Sequence, residues 1–271
     1  MRNRVTLISL LAGIALTVSV TQLHAQAARE EGHLLLATQV LEELAASPDT
    51  FVPDRLMQRA YGIAVVPDVT KVAFIAGGRR GKGVLVTRDK NGHFSNPVFI
   101  ALTGGSFGWQ YGVESTDIVL VFTTRTGIEG ITGGKVTLGG DASVAAGPVG
   151  RQASVATDSN FTAEVYSYSR TRGLFAGIAL DGTVLSIDRS ANALFYKKSG
   201  VTASEIMDGD VKTTDSTAQR FLAAVLASTG GTSSPASAPT AGATAPPPPA
   251  PATSDTKSFP MADPQPGTEP K

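Results

Sequence analysis

One short segment of this chain matches a motif of covalent catalysis. Residues 104–108 read Gly-Gly-Ser-Phe-Gly, which fits the Gly-x-Ser-x-Gly elbow that exposes a nucleophilic serine in α/β-hydrolases. In that class the histidine base follows the serine in the chain, whereas His24, His33 and His93 all precede Ser106. A chain with 29 glycines also produces such matches by chance. We therefore predict that the protein is not an enzyme, and hydrolysis by Ser106 is the weakest of three hypotheses.

The glycine-rich and histidine-containing segments do not predict a cofactor or a metal. Neither residues 78–83 nor residues 133–136 have the spacing of a nucleotide P-loop, because the first glycine is absent and no Ser or Thr follows the lysine. The paired glycines between apolar runs are interpreted as turns and sites of close strand approach. The chain has no cysteine, and its aspartates lack the spacing of a calcium loop.

Phosphate recognition is the chemistry that the basic side chains offer, because cations pair with phosphate oxygens through charge-assisted hydrogen bonds. Residues 78–83 are expected to form a glycine-rich hairpin that presents Arg79, Arg80 and Lys82 together. The alternative is a solvated turn that its charges keep soluble. Further candidates, each also open to the interpretation of ordinary surface charge, are Arg170, Arg172, Lys197 and Lys198.

Three aromatic residues alternate with small or polar ones in a single segment. Phe107, Trp109 and Tyr111 would project from one face of a strand, since successive side chains point to opposite faces. They either fill the core or line a surface that faces lipid. In the second case Trp109 would be an anchor at the membrane interface.

The elements that must position these side chains are mostly short strands. The segment from residue 60 to 200 is a series of short, β-branched or aromatic runs closed by glycine, which predicts antiparallel strands in one β-rich domain. The runs cover residues 63–66, 72–75, 84–87, 98–102, 118–122, 135–138, 161–168, 174–180, 183–187 and 193–196.

Three helical regions are predicted around the strands. Apolar residues recur at helical spacing over residues 29–46, and a short second helix can begin at Pro53. Thr202 and Glu205 have capping-box spacing, and residues 215–227 place apolar side chains on one face. The predicted fold class is α+β, with an antiparallel β-rich core, sandwich or barrel-like, flanked by N- and C-terminal helices.

The two ends of the chain differ from this body. Arg2 and Arg4 precede an apolar stretch that ends near Ala25-Gln26-Ala27, which predicts a signal peptide over residues 1–27. Residues 229–271 are rich in Pro, Ala, Ser and Thr and are predicted to be a disordered tail. One domain over residues 28–228 is left, and the mature protein is expected in the periplasm or outside the cell, with no transmembrane helix.

Charge excludes one class of partner. The formal net charge is zero, and residues 60–200 carry 14 Lys and Arg against 10 Asp and Glu. This excess is far below the asymmetry of dedicated nucleic-acid binders, so no nucleic-acid partner is predicted.

An ordered series of motifs in the body resembles the SYLF lipid-binding domain family, which includes the yeast actin-patch proteins. The resemblance covers about residues 35 to 208. The matching motifs are residues 60–67, 77–84, 94–97, 105–112, 138–143, 147–150, 166–169 and 173–177.

The resemblance implies binding of anionic phospholipids, phosphoinositides in the eukaryotic members, without catalysis. The signal peptide and the absence of an SH3 or FYVE module argue against actin or cytosolic phosphoinositides, so an envelope lipid at a membrane surface is the expected ligand. The second hypothesis is an envelope scaffold whose tail binds other envelope proteins, with no direct lipid binding.

Overall fold

The computed structural model describes residues 26–46, 52–73, 76–89, 91–107, 112–149, 161–171 and 174–230. Helix α1 covers residues 26–46. The other helices are α2 (Asp54–Gln58), α3 (Thr126–Thr132), α4 (Arg189–Phe195), α5 (Ala203–Met207) and α6 (Ser216–Ser228). None of the helices in these ranges is long and apolar enough to cross a bilayer.

In the described ranges, nine strands form a single curled sheet of half-barrel form. They are β1 (Gly62–Ala73), β2 (Ala76–Thr87), β3 (Val98–Phe107), β4 (Gly112–Phe122), β5 (Lys135–Thr137), β6 (Val144–Ala146), β7 (Val165–Thr171), β8 (Leu174–Gly177) and β9 (Val184–Ile187). Their order is β5-β9-β3-β2-β1-β4-β7-β6, with β8 paired to β7. Every pairing is antiparallel except that of β6 with β7.

The central strands are apolar on both sides because both faces of the sheet are covered. On face A, Ile63 and Val65 pack in one buried cluster, while on face B their neighbours Ala64 and Val66 pack in another. Side chains alternate along a strand, so two covered faces require a continuous apolar run. The sequence therefore shows short, uninterrupted apolar runs and not the alternation of apolar and polar residues that a strand with one solvent-facing side would have.

Different helices cover the two faces. Buried residues of α1, α2 and α6 belong to the face A cluster, and those of α3 and α5 belong to the face B cluster. On α1 the buried positions Leu34, Ala37, Leu41 and Leu44 recur every three or four residues, as predicted for an amphipathic helix. The structure therefore confirms an α+β fold with a mostly antiparallel core and helices at both ends.

The helix starts follow local capping chemistry. The Thr202 side chain accepts a hydrogen bond from the Glu205 backbone N–H, and the Glu205 carboxylate accepts one from the Thr202 backbone, which confirms the predicted capping box. Asp215 caps α6 by accepting from Thr217 and Ala218. Pro53 stands one position earlier than predicted, at the N-cap of α2.

Several local predictions are wrong. The sequence predicts a strand over residues 193–196, but they form the end of α4 and the turn after it, and no sequence pattern predicts α3. Val72 continues β1 through Pro67 because a bulge between Val66 and Val69 absorbs the proline. The glycine pairs at 77–78 and 104–105 lie inside β2 and β3, where Gly78 pairs with Gly105, instead of forming turns.

Candidate functional site

Strand β2 separates the three cations that the sequence placed together. A Cβ at Gly81 would meet Val66 and Val69 on face B, and so residue 79, two positions earlier, projects on the same side. Arg80 and Lys82 project on face A. The segment lies within a strand, not a hairpin turn, and it does not present its three charges to one ligand.

Lys82 is held in an ion-pair cluster under α1. Its Nζ lies 2.8 Å from Asp188 Oδ2 and 3.8 Å from Glu30 Oε1. The hydrogen bond with Asp188 raises the pKa of Lys82, while burial raises the pKa of Glu30. These contacts join α1, β2 and the N-cap of α4, so Lys82 has a structural role here.

Arg170 is also engaged within the fold. Its guanidinium lies 2.8 Å from Glu43 on α1 and 3.4 Å from Asp117 on β4, and the side chain is mostly buried. Lys82 and Arg170 thus attach α1 to the sheet near opposite ends of the helix.

The remaining predicted cations are dispersed. Lys198 Nζ lies 2.7 Å from Glu205, and Lys197, next to it, is exposed with a φ of 52°. Arg172 and Trp109 lie outside the described residues, as does Tyr111. Assignment of all these side chains to a lipid site remains a prediction.

The ends of six strands lie together at one end of the sheet, and we call this region the strand-end rim. The antiparallel pairings bring together the last residues of β1, β3 and β7 and the first residues of β2, β4 and β8. Val72 and Leu174, two large apolar side chains of the rim, are 51% and 67% exposed. By strand alternation Val72 projects on face A and Leu174 on face B, at the same end of the sheet.

The rim is predominantly basic among the described residues. Lys71 on β1 pairs directly with Arg79 on β2 and, on its other side, with Glu114 on β4. Arg80 lies exposed in the next row, opposite Thr70. Two cations directly opposite each other repel, and one carboxylate only partly offsets them, so the rim favours an anion.

The sequence did not single out Lys71, Val72 or Leu174. The pairing of Lys71 with Arg79 requires the strand register, and the β1 bulge sets that register. One local signal was available. Lys71 is a lone cation in an apolar stretch of the sequence, where a charged residue is unexpected unless it has a function.

A cleft of about 460 Å³ lies at the opposite end of β1, between α3, α5 and the end of β2. Arg88 lines it, donates to the Gln58 carbonyl at 2.8 Å and stacks on the Phe94 ring at 4.6 Å. Acidic and basic side chains are mixed in the lining, which gives the cleft no clear charge preference. They are Asp89, Arg125, Glu129 and Asp208 besides Arg88.

Ser106 lies in β3, paired with Gly77, and not at a strand-to-helix turn. The Gly-x-Ser-x-Gly match therefore lacks the backbone context of a nucleophile elbow. In the part of the chain that the structure describes, no group of three His, Asp or Glu side chains is placed to hold a metal ion.

The model of one protein family matches this chain. Residues 103–229 match the family described as "Ysc84: Las17-binding protein actin regulator". This match begins in β3 and ends just after α6, so it includes strands β4 to β9 and helices α3 to α6 and leaves out β1 and β2.

Curated relatives match a larger part of the chain. LAS seventeen-binding protein 3 of Saccharomyces cerevisiae is 36% identical over 181 residues, 66% of this chain and 39% of the relative. Protein YSC84 of the same yeast is 38% identical over 167 residues, covering 60% and 35%. The SH3 domain-containing YSC84-like protein 1 of Xenopus laevis is 33% identical over 181 residues, covering 65% and 54%.

The chain spans about one third to one half of the length of these relatives. By this match the chain belongs to the Ysc84 family, the family of the SYLF domain that the sequence motifs resemble.

Proposed function

We propose that this protein is a non-enzymatic binding protein that recognises anionic phospholipid headgroups at a membrane surface through the strand-end rim. The observation that carries the proposal is the rim itself, where Lys71 and Arg79 on face B and Arg80 on face A occur at the same end of the sheet as the exposed Val72 and Leu174. Cations attract the phosphates of the headgroups, and apolar side chains enter the boundary between headgroups and acyl chains.

The expected strength is that of reversible attachment. Each Lys or Arg near an anionic membrane contributes about 1 kcal/mol, and this attraction decreases within a Debye length as salt is added. Three cations therefore give binding that is weak in high salt and needs anionic lipid. The exposed apolar side chains add an increment that salt does not remove.

Vesicle flotation tests this proposal with a matched pair of variants. The rim variant Lys71→Gln/Arg80→Gln is compared with Arg55→Gln/Arg59→Gln, which removes the same charge from exposed positions in and beside α2, at the far end of β1. On phosphatidylglycerol vesicles at low salt, the loss of two cations worth about 1 kcal/mol each is expected to weaken binding of the rim variant roughly thirtyfold, whereas the control is expected to bind as the parent protein does. Equal binding to phosphatidylglycerol and phosphatidylcholine vesicles would refute the proposal.

Two further residues are proposed on chain connectivity. Trp109 belongs to the segment that follows β3 at Phe107, and Arg172 to the segment that follows β7 at Thr171, and both strands end at the rim. We propose Trp109 as an interfacial anchor and Arg172 as an additional headgroup contact. A blue shift of the fluorescence of Trp109, the only tryptophan, on addition of phosphatidylglycerol vesicles is the expected result.

Secretion is part of the proposal and has its own test. The predicted signal peptide would be cleaved after Ala27, within α1, and the helix from Ala28 onward would keep Glu30 and its buried leucines. N-terminal sequencing of the mature protein from a bacterial periplasm should start near residue 28. An uncleaved cytosolic product would contradict this part.

A second candidate function is an actin-related one, through binding of actin or of a Las17-like protein. The family description names Las17 binding and actin regulation, and one yeast relative is named for Las17 binding, which favours such a partner over the expectation from the sequence that actin is not involved. Co-sedimentation with actin filaments separates the two candidates. If the protein pellets with filaments and ignores anionic vesicles, the second candidate replaces the first.

The envelope-scaffold alternative depends on the tail. Capture of an envelope protein by the full chain and not by a chain ending at residue 230 would support it. Lipid binding that survives the same deletion would favour the rim.

A further inference from the structure

Two buried polar atoms on face B are left without a partner close to the rim. Thr183 is 1% exposed, and its Oγ1 forms no hydrogen bond within the described part of the chain. Arg79 Nε is also a buried atom that forms no hydrogen bond within the described residues. An unpaired buried hydroxyl or guanidinium N–H loses its hydration without compensation, so each of these atoms is a candidate for a ligand contact.

Gly104 lies between the two groups. A Cβ at Gly104 would be 3.0 Å from Thr183 Oγ1 and 3.3 Å from Arg79 Cγ, which is tighter than ordinary contact. Glycine at 104 therefore lets these two side chains approach each other closely over the strand. Lys71, directly opposite Arg79 in the register, brings a second cation to the same face, and Glu114 lies beyond it.

We infer that Thr183, Arg79 and Gly104 form a subsite for a single tetrahedral oxyanion of the phosphate class. The Thr183 hydroxyl and Arg79 Nε would donate to its oxygens, and glycine at 104 lets the two donors lie close enough together for one anion to contact both. Burial lowers the pKa of Arg79, which means that the guanidinium lies in a poorly solvated setting where an anion would stabilise it.

This subsite rests on the proposed function only for the identity of its ligand, because a lipid headgroup and free phosphate would offer the same oxygens. It goes further because it assigns unequal roles to neighbouring cations. General attraction to a membrane treats Arg79 and Arg80 alike, whereas a built subsite on face B needs Arg79 and not Arg80, whose side chain projects on face A.

The test uses inorganic phosphate as the probe on the full mature chain. Backbone amide NMR shifts of Gly104 and Thr183 are followed during titration with phosphate and, as a control, with chloride at equal ionic strength. Specific shifts are expected in the parent protein and in Arg80→Gln. Arg79→Gln and Thr183→Val are each expected to weaken phosphate binding about tenfold, the factor for one lost hydrogen bond to a charged group.

Thr183→Val also controls for folding. It keeps the shape of the side chain and removes a hydroxyl that has no partner in the described part of the chain, so urea unfolding should show unchanged or higher stability. Loss of phosphate binding with stability retained supports a ligand role for the hydroxyl. Loss of stability in this variant would show that the hydroxyl serves the fold and would overturn the inference.

A second arm with phosphatidylglycerol vesicles identifies the source of the oxyanion. Stronger loss of flotation in Arg79→Gln than in Arg80→Gln supports a headgroup in the subsite. Phosphate binding without flotation keeps the subsite and removes the membrane function. Flotation with equal loss in the two variants, or phosphate shifts no larger than those with chloride, overturns the subsite and leaves membrane attraction standing.

Discussion

At the scale of single residues, several glycines of the family-like motifs serve close packing. A Cβ at Gly83 would lie 2.2 Å from the Val65 carbonyl oxygen, and one at Gly177 would lie 2.2 Å from that of Gly147. Both distances are far below van der Waals contact. These positions explain why the motifs are rich in glycine without any phosphate cradle of the P-loop kind.

Gly147 gives the sharpest residue-scale prediction. A Cβ there would lie 2.0 Å from Tyr168 Cζ, and Tyr168 is fully buried, so the ring cannot move aside easily. We expect Gly147→Ala to lower the free energy of unfolding by about 1–3 kcal/mol through overpacking. Urea denaturation followed by circular dichroism measures this change.

Gly32 is the matched control, because it lies in α1 and a Cβ added there would meet nothing within 4 Å. Gly32→Ala should raise the free energy of unfolding by about 0.5–1 kcal/mol, since alanine loses less backbone entropy in a helix. If both substitutions changed stability in the same direction, close packing would not be the reason for glycine at 147.

At the scale of elements, helix α5 depends on charges at its first turn. Glu205 accepts hydrogen bonds from Lys198 Nζ and from the Thr202 backbone and hydroxyl, which lower its pKa from 4.5 to about 2. A carboxylate whose pKa is depressed by folding stabilises the fold above its unfolded pKa. That contribution decreases as pH falls from about 5 to about 2.

This element gives a pH-dependent prediction. Glu205→Gln should be less stable than the parent protein at neutral pH, and the difference should shrink as pH falls through that range. Urea midpoints of both proteins at several pH values provide the measurement. Asp54→Asn, an exposed acidic position on α2, serves as the control for a general effect of lost charge. A difference that stayed constant down to pH 2 would contradict the assigned role of the carboxylate.

The same scale explains how α1 is oriented. Its buried face packs on face A, and Glu30 and Glu43 reach cations on β2 and β7. The apolar pattern of the helix predicted that it would pack against the sheet. The ion pairs to β2 and β7 set the position of α1 on the sheet. No local pattern predicts these pairs, because both strands are remote from α1 in the sequence.

At the scale of the whole molecule, the described residues already bury two cores. The clusters on faces A and B take residues from α1 through α6. We expect a chain that ends at residue 230 to unfold in urea with the same midpoint and the same m-value as the full chain, since m follows the surface exposed on unfolding.

A lower midpoint or a smaller m-value in the shortened chain would show that the tail contributes to the fold. The control is a chain shortened to residue 215, which lacks α6 and its buried Phe221 and Val225. That chain should lose cooperative unfolding, because α6 covers part of face A.

Much of the fold followed from local physics. Three features are encoded within a few neighbouring residues. They are the alternation of β1 side chains between the two buried clusters, the helical spacing of apolar residues on α1, and the capping box of Thr202 and Glu205. Helix α4 was missed because residues 193–196 are apolar and aromatic, a composition that suits a strand as well as a short helix. Asp188, which caps that helix by accepting from Ala191, was the overlooked signal.

The sequence by itself determined most of the central strands, the capping box of α5, the family resemblance and most of the candidate cations, because each of these depends on residue type and short-range spacing. Only the tertiary structure decided what each cation does. Lys82 meets Glu30 and Asp188, Arg170 meets Glu43, and Arg79 lies beside Gly104 and Thr183, all through register and helix docking. Such contacts join residues far apart in the chain, and no local pattern specifies them.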